Sequence, residues 1–407
     1  MRKIYFSVLA MYAGILAAHS QSTVSKIQDT GIYESRKLTL DEVNFVSAYY
    51  HQNGNNSAVT GGIGTEKLSD FANTIDVQFS NVTSNGKKNT LLFEVGVDHY
   101  TSASSDKIDP YSISSASRQD TRFYPSLNWT KTNISTGNAI GFTGSYSHEY
   151  DYQSFGGGFN FTRLSKNKNR QFDFKAQAFL DTWEVILPVE LRPPGYGSGS
   201  QSDQDRPVDY KPRNSFSASF SISQIINSRL QALLIAEPSY QHGLLATKYQ
   251  RDYFTDGTEK VENLPDNRYK LPIGLRLNYF LDDRFIIRTF YRYYTDDWGI
   301  RSHTGEIEMP VKVTPFVSVS PFYRYVHQTG TRYFAAFGKH LPSANYYTSD
   351  YDLSGMHSQF VGANVRLSPP KGLFGVQQLN SMELRFGHYI RSTGLNSNIL
   401  TLAVKIK

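Results

Sequence analysis

The sequence predicts an all-β fold: a transmembrane antiparallel β-barrel of about 16 strands, with short periplasmic turns at one end and long extracellular loops at the other. Three observations lead there. Segments of 10–15 residues alternate apolar and polar side chains with a period of two, and none shows the 3.6-residue period of an amphipathic helix. Tyr (28) and Phe (26) are abundant although only 39% of the 407 residues are hydrophobic. A barrel explains both, because rings collect at the membrane surfaces and every second side chain faces water. Finally, there is no Cys, so the framework closes without disulfides, and thiolate chemistry and Cys-ligated metals are excluded.

The elements follow in order. Residues 1–20 read as a secretory signal peptide: Arg2 and Lys3 precede the apolar run Ile4–Ala18, and Ala18-His19-Ser20 supplies small residues for cleavage. That run falls short of the roughly 20 apolar residues of a membrane-spanning helix. Residues 21–40 are polar, lack alternation and are expected to form a periplasmic leader or plug, and 41–407 the barrel. Strands are expected near 41–52, 68–83, 88–101, 121–135, 138–152, 154–164, 170–184, 213–226, 229–243, 268–281, 284–296, 300–313, 316–329, 356–368, 380–392 and 397–407. In the last of these Leu400, Leu402, Val404 and Ile406 share one face and Thr401, Ala403 and Lys405 the other. Every second connection is mostly short and built of turn formers such as Asn85-Gly86, Asn227-Ser228 and Asp282-Asp283. The long pieces, 53–67, 102–120, 185–212, 244–267 and 330–355, all fall in the other set. A soluble sandwich with one wet face is the competing fold, but it seldom keeps strands this long through so many repeats.

Three motifs stand at the long-loop end: "SASRQDTR" (115–122), "SHEYDYQS" (147–154) and "RYYTDDWGIRSHT" (292–304). Together they resemble the signatures of an uncharacterised bacterial outer-membrane β-barrel family, the domain of unknown function 3570, from about Leu38 to Lys407. The resemblance implies a Gram-negative outer-membrane location and carries no catalytic residue with it. In the third motif Asp-Asp-Trp-Gly breaks the alternation, so a turn is expected at Asp296–Gly299, with Tyr291, Tyr293 and Trp298 in an interfacial girdle.

Strand parity divides the inward charges into two walls. Asp70, Asp76, Glu94, Asp98, Glu149, Asp151, Asp173 and Asp181 line an acidic wall, with Lys175 as its exception. Arg268, Lys270, Arg276, Arg284, Arg288, Arg292, Arg324, Arg366, Arg385 and Arg391 line a basic wall opposite, relieved by Asp296, Glu306, Glu308 and Glu383. Either the walls face across an aqueous lumen and set a transverse field, or they pair with each other or with a plug in a closed interior.

Other chemistry is sparse. His99, His148, His242, His303 and His327 share the parity of the lipid-facing residues and cannot converge on one metal ion. Asp98, Asp106 and Asp109 form an oxygen-rich cluster suited to Ca²⁺, without EF-hand spacing. Pairing His148 with Asp296 or Asp297, or His303 with Ser302 and Asp120, would give a rim hydrolase, but no nucleophile motif supports it and an enzyme is not expected. Gly156–Gly158 lies within a strand rather than in a phosphate loop. No cofactor is implied. The net charge of +6 is dispersed, so nucleic acid is not expected as a partner. The expected partners are outer-membrane lipids and a polar solute or an exported periplasmic protein. The expected role is a channel or docking pore, with a closed structural or assembly barrel as the alternative.

Overall fold

The computed structural model describes residues 37–101, 119–194 and 209–407. Residues 1–20, most of the leader, Ser115–Arg118 of the first motif, and Asp106 and Asp109 lie outside the described residues.

Alternating segments become strands because each can bury every backbone N–H and C=O in two ladders, whatever surrounds it. The first eight are β1 (Thr39–Asn53), β2 (Leu68–Val82), β3 (Lys87–Thr101), β4 (Gln119–Asn133), β5 (Ala139–His148), β6 (Tyr152–Leu164), β7 (Arg170–Glu184) and β8 (Tyr210–Ile225). Next come β9 (Leu230–Ala236) and β10 (Ser239–Gly243), then the small hairpin β11 (Arg251–Tyr253) and β12 (Glu259–Val261). They are followed by β13 (Asn267–Phe280), β14 (Ile286–Asp296), β15 (Arg301–Glu308), β16 (Val311–Thr314), β17 (Val317–Gln328), β18 (Met356–Leu367), β19 (Leu379–Arg391) and β20 (Asn396–Ile406).

The sequence expectation of continuous strands over 229–243 and 300–313 is corrected in detail. Each is cut in two, at Glu237-Pro238 and at Met309-Pro310, because proline has no N–H to give the ladder. The cut is local: Pro238 O still accepts from Ala218 N, and Pro310 O from Ile286 N. Counting each interrupted pair as one stave, the antiparallel sheet has sixteen. It closes on itself, since β1 pairs with β20 from Val43↔Ile406 to Asn53↔Asn396. A closed sheet has no edge to protect.

Turns at one end are tight, apart from the connection 368–378 between β18 and β19. Gly86 holds φ 66°, the left-handed conformation that Asn-Gly hairpins require. Register shifts at Leu40/Glu42, Lys312/Thr314 and Leu379/Ser381 sit at this same end, where bulges bend strands at a barrel rim. At the other end lie the connections 54–67, 244–266 and 329–355.

The apolar residues are outside. Phe142, Phe155, Leu180, Phe220, Leu234, Val361, Leu384 and Phe386 are exposed, while the neighbouring parity carries Ser, Thr, Asn and charged groups. Phe142, Phe159, Phe174 and Phe220 form a ladder of outer-face rings across β5 to β8, with centroids 5.0–6.3 Å apart. An apolar belt around a polar interior is the inverse of a water-soluble fold and the arrangement a bilayer demands. Gly156 faces inward under the ring of Phe179, and a Cβ there would meet that ring at 2.8 Å. That is the close-packed bulky neighbour a strand glycine signals.

Candidate functional site

The inner faces of β2–β7 hold the acids, and among the described residues no base of the opposite wall pairs with them. Tyr124 donates to Asp98 (2.8 Å), Asn44 to Asp76 (2.8 Å), Thr162 to Asp173 (2.7 Å), and Tyr152 to Asp181. Glu149 and Asp151 lie just beyond β5, in its hairpin. Glu149 accepts from Tyr100 and pairs with Arg122 at 3.4 Å, and Asp151 accepts from Trp183 Nε1 at 3.1 Å. Most of this wall is therefore hydrogen-bonded by neutral donors rather than paired with bases. Glu94 lines a 270 Å³ cavity beside Tyr124 and Asp181.

The basic wall is organised differently. Arg268 pairs with Asp296 (2.6 Å), Arg324 with Glu306 (2.6 Å), Arg366 with Glu383 (3.3 Å) and Arg288 with Glu308 (3.7 Å), each across adjacent strands of the same wall. The expectation that the two rows might pair with each other is replaced: the arginines find acids one strand away, within reach of their own side chains. Arg276 lies over the Phe290 ring (5.3 Å) and Arg385 over Phe322 (4.1 Å), while Arg292 is exposed without an ion pair among the described residues. Arg284 leaves the wall, because β14 begins at Ile286 and Arg284 belongs to the turn capped by Asp282.

Above the walls, one loop crosses the mouth. Residues 244–266 join the ninth and tenth staves, which stand opposite the first and second in the ring. Yet Arg251 of that loop donates to Val59 O at 2.9 Å, in the loop between β1 and β2, and pairs with Glu190 at 2.5 Å. Loop 329–355 fixes it from the side. Asn263 pairs with Tyr347, Phe254 with His340, and Glu262 accepts from Thr247 N and Thr348 Oγ1, both at 2.5 Å. Its apolar centre is Leu245, Ala246, Leu264 and Trp298.

Trp298 corrects a sequence expectation. It is 3% exposed rather than part of a half-wet girdle. The Asp296–Gly299 turn does form, with Gly299 at φ 99°, but it tips the indole inward under Tyr333. There Nε1 donates to Asn267 O at 2.9 Å and Arg268 stacks on the ring at 4.4 Å. Nothing local in Asp-Asp-Trp-Gly distinguishes an inward from an outward indole, so only the packing of loop 329–355 decides it.

Beneath the crossing loop is a cavity of about 600 Å³ against β1 and β17–β20. Sequence parity identifies Arg324 and Arg391 on its wall, but not the loop residues Glu66, Tyr249, Asp350 and Asp352 that complete it. Arg391, 4% exposed, pairs with Asp352 and lies 4.0 Å from Glu66.

The exposed histidines and the hydrolase groupings do not assemble, and Asp106 and Asp109 of the oxygen cluster lie outside the described residues. His99, His242 and His303 are exposed and bonded singly, to Thr121 (2.9 Å), Asn267 (2.9 Å) and Tyr291 (2.7 Å). His148 ends β5 whereas Asp296 ends β14 and Asp297 follows it, and His303 stands on β15 whereas Asp120 stands on β4, so the strands do not bring either hydrolase grouping together. Among the described residues no three His, Asp or Glu side chains converge as a metal site. Asp98 is held by Tyr124.

The model of the family described as "Protein of unknown function (DUF3570)" matches residues 96–394. No curated protein matches the chain. Among solved structures, it is similar to a mutant ferric enterobactin receptor (PfeA) of Pseudomonas aeruginosa, at 8% identity and TM-score 0.46, over 86% of this chain and 53% of that one. The chain thus spans about half the length of that receptor. It is also similar to OccD3 (OpdP) of P. aeruginosa, at 9% identity and TM-score 0.38, over 96% and 97% of the two chains. For OccAB4 of Acinetobacter baumannii the values are 8%, 0.35, 92% and 98%. The barrel itself rests on its own strand register.

Proposed function

Because the chain belongs to the DUF3570 family, whose name carries no activity, we propose from its geometry that it is an outer-membrane channel or docking pore for a polar solute. Its short turns are periplasmic and its long loops extracellular. The carrying observation is the residual charge of the interior. Most of the acidic wall is bonded by neutral groups, whereas on the basic wall Arg276, Arg292 and Arg385 have no acid partner among the described residues. A sixteen-stave barrel encloses an aqueous lumen, and a field left standing across it orients dipolar solutes. A closed structural barrel is the second reading, favoured by the loop that crosses the mouth.

Reversal potentials in planar bilayers decide between them. Arg276→Gln with Arg385→Gln is expected to raise cation over anion permeability, and Asp76→Asn with Glu94→Gln to lower it. Arg288 and Arg324 are poor choices, because neutralising them strands Glu308 and Glu306. Absence of any conductance would select the closed barrel.

A further inference from the structure

The cavity under the crossing loop has a charge balance of its own. Glu66, Asp350 and Asp352 stand on its wall with Arg391 among them, while the other lining arginine, Arg324, is matched by Glu306. Carboxylates therefore outnumber the available cations. Two nearly buried groups on the same wall keep unused capacity: Glu66, 8% exposed, has an Oε2 that accepts no hydrogen bond, and Arg391 an Nη2 that donates none. The rest of the lining includes rings, Tyr50, Tyr249, Phe360 and Tyr389.

We propose that this cavity binds a small organic cation, an ammonium or guanidinium on an apolar body. Its charge lies among Glu66, Asp350 and Asp352, and its body against the tyrosines. Three considerations choose this class. A metal ion needs carboxylates converging at chelating distance, and among the described residues none do. An anion would have only Arg391, already paired with Asp352, against three acids. A charged head with an apolar body gains both from the carboxylates and from the ring faces, which attract cations. The volume suits a small molecule, since such sites run from about 300 to 1,000 Å³. Burial and the charge of Asp352 hold Glu66 and Asp350 above their ordinary pKa values, as expected of carboxylates short of a counter-ion.

This inference rests on the reading of the barrel as a solute passage, and equilibrium binding separates the two. Calorimetric titration of the purified full-length barrel in detergent uses phenethylammonium, its isosteric anion phenylpropionate, and Ca²⁺. Phenethylammonium is expected to bind, and the other two not. Asp350→Asn with Asp352→Asn should weaken it at least about tenfold, one charged contact, while Asp352→Glu retains it. Resistance to unfolding in sodium dodecyl sulfate shows that each variant is folded. Equal binding of phenylpropionate, or full affinity in the folded double variant, overturns the cation site. Binding without conductance removes the passage and leaves the site; conductance without binding removes the site alone.

Discussion

At the residue scale, burial decides which ion pairs matter. The Asp296 side chain is fully buried and accepts from Arg268 Nη2 (2.6 Å), Tyr294 OH (2.8 Å) and Ile300 N (2.9 Å). One carboxylate thus ties β13, β14 and the hairpin that carries Trp298. Removing one partner of a buried pair leaves the other unsatisfied, at a cost of about 3–5 kcal/mol. Asp296→Ala should lower urea stability in micelles by that order. Lys211–Asp209 is about half exposed on both sides, and such pairs contribute only about 0–1 kcal/mol. Asp209→Ala is therefore the control, and equal losses in the two variants would show that Asp296 is solvated. Both acids are plain in the sequence. What sets them apart is the packing above Asp296, which no local pattern records.

At the element scale, parity is the governing variable. A one-residue slip would turn each strand's apolar row into the lumen, so register is strongly specified. Leu384 faces outward near the middle of β19, while Ser126 faces inward opposite Glu94, beside a cavity with room for a longer side chain. Leu384→Arg should destabilise the barrel by about 2–4 kcal/mol, as cations do on the lipid face near the midplane. Ser126→Arg should cost far less. Refolding into bilayers followed by urea titration measures both, and similar losses would refute the inside-out assignment. This scale was the most legible in sequence. Period-two alternation marks each strand wherever both faces are constrained, and turn formers such as Asn85-Gly86 and Asp282-Asp283 mark short turns. Pro238 and Pro310 were equally visible, but their consequence, one interrupted stave each, depends on neighbours that keep the ladder in register across the gap.

At the scale of the whole molecule, long loops from different parts of the ring meet over the mouth, and the contact between two of them carries a titratable group. Glu262, 2% exposed, bridges loops 244–266 and 329–355. Burial first, then the charges of Asp350 and Asp252, push it up to about 8 from an ordinary 4.5. A carboxyl raised in the folded state binds its proton there more tightly than in the opened loop. Its contribution is fully present below about 4.5 and is lost as pH rises through about 8, at about 1.4 kcal/mol per unit. Amide exchange within residues 244–266, corrected for intrinsic rates, should therefore quicken from pH 6 to pH 9. Glu262→Gln should flatten the profile, and an unchanged slope in that variant would place the titration elsewhere.

The sequence by itself determined the barrel, its number of staves, the inward and outward faces and which end carries the long loops. Each of these follows from local periodicity and turn chemistry acting on one strand or hairpin at a time. Only the tertiary structure decided that the basic wall answers its own acids, that Trp298 turns inward, and that residues 244–266 reach the loop between β1 and β2. It also decided that Glu66, Asp350 and Asp352 meet at one cavity. Those features join residues on different strands and loops, on neighbouring staves in the wall pairs and across the ring where Arg251 meets Val59. Their geometry depends on closure of the sheet, which brings the first strand beside the last and sets residues 244–266 across the mouth.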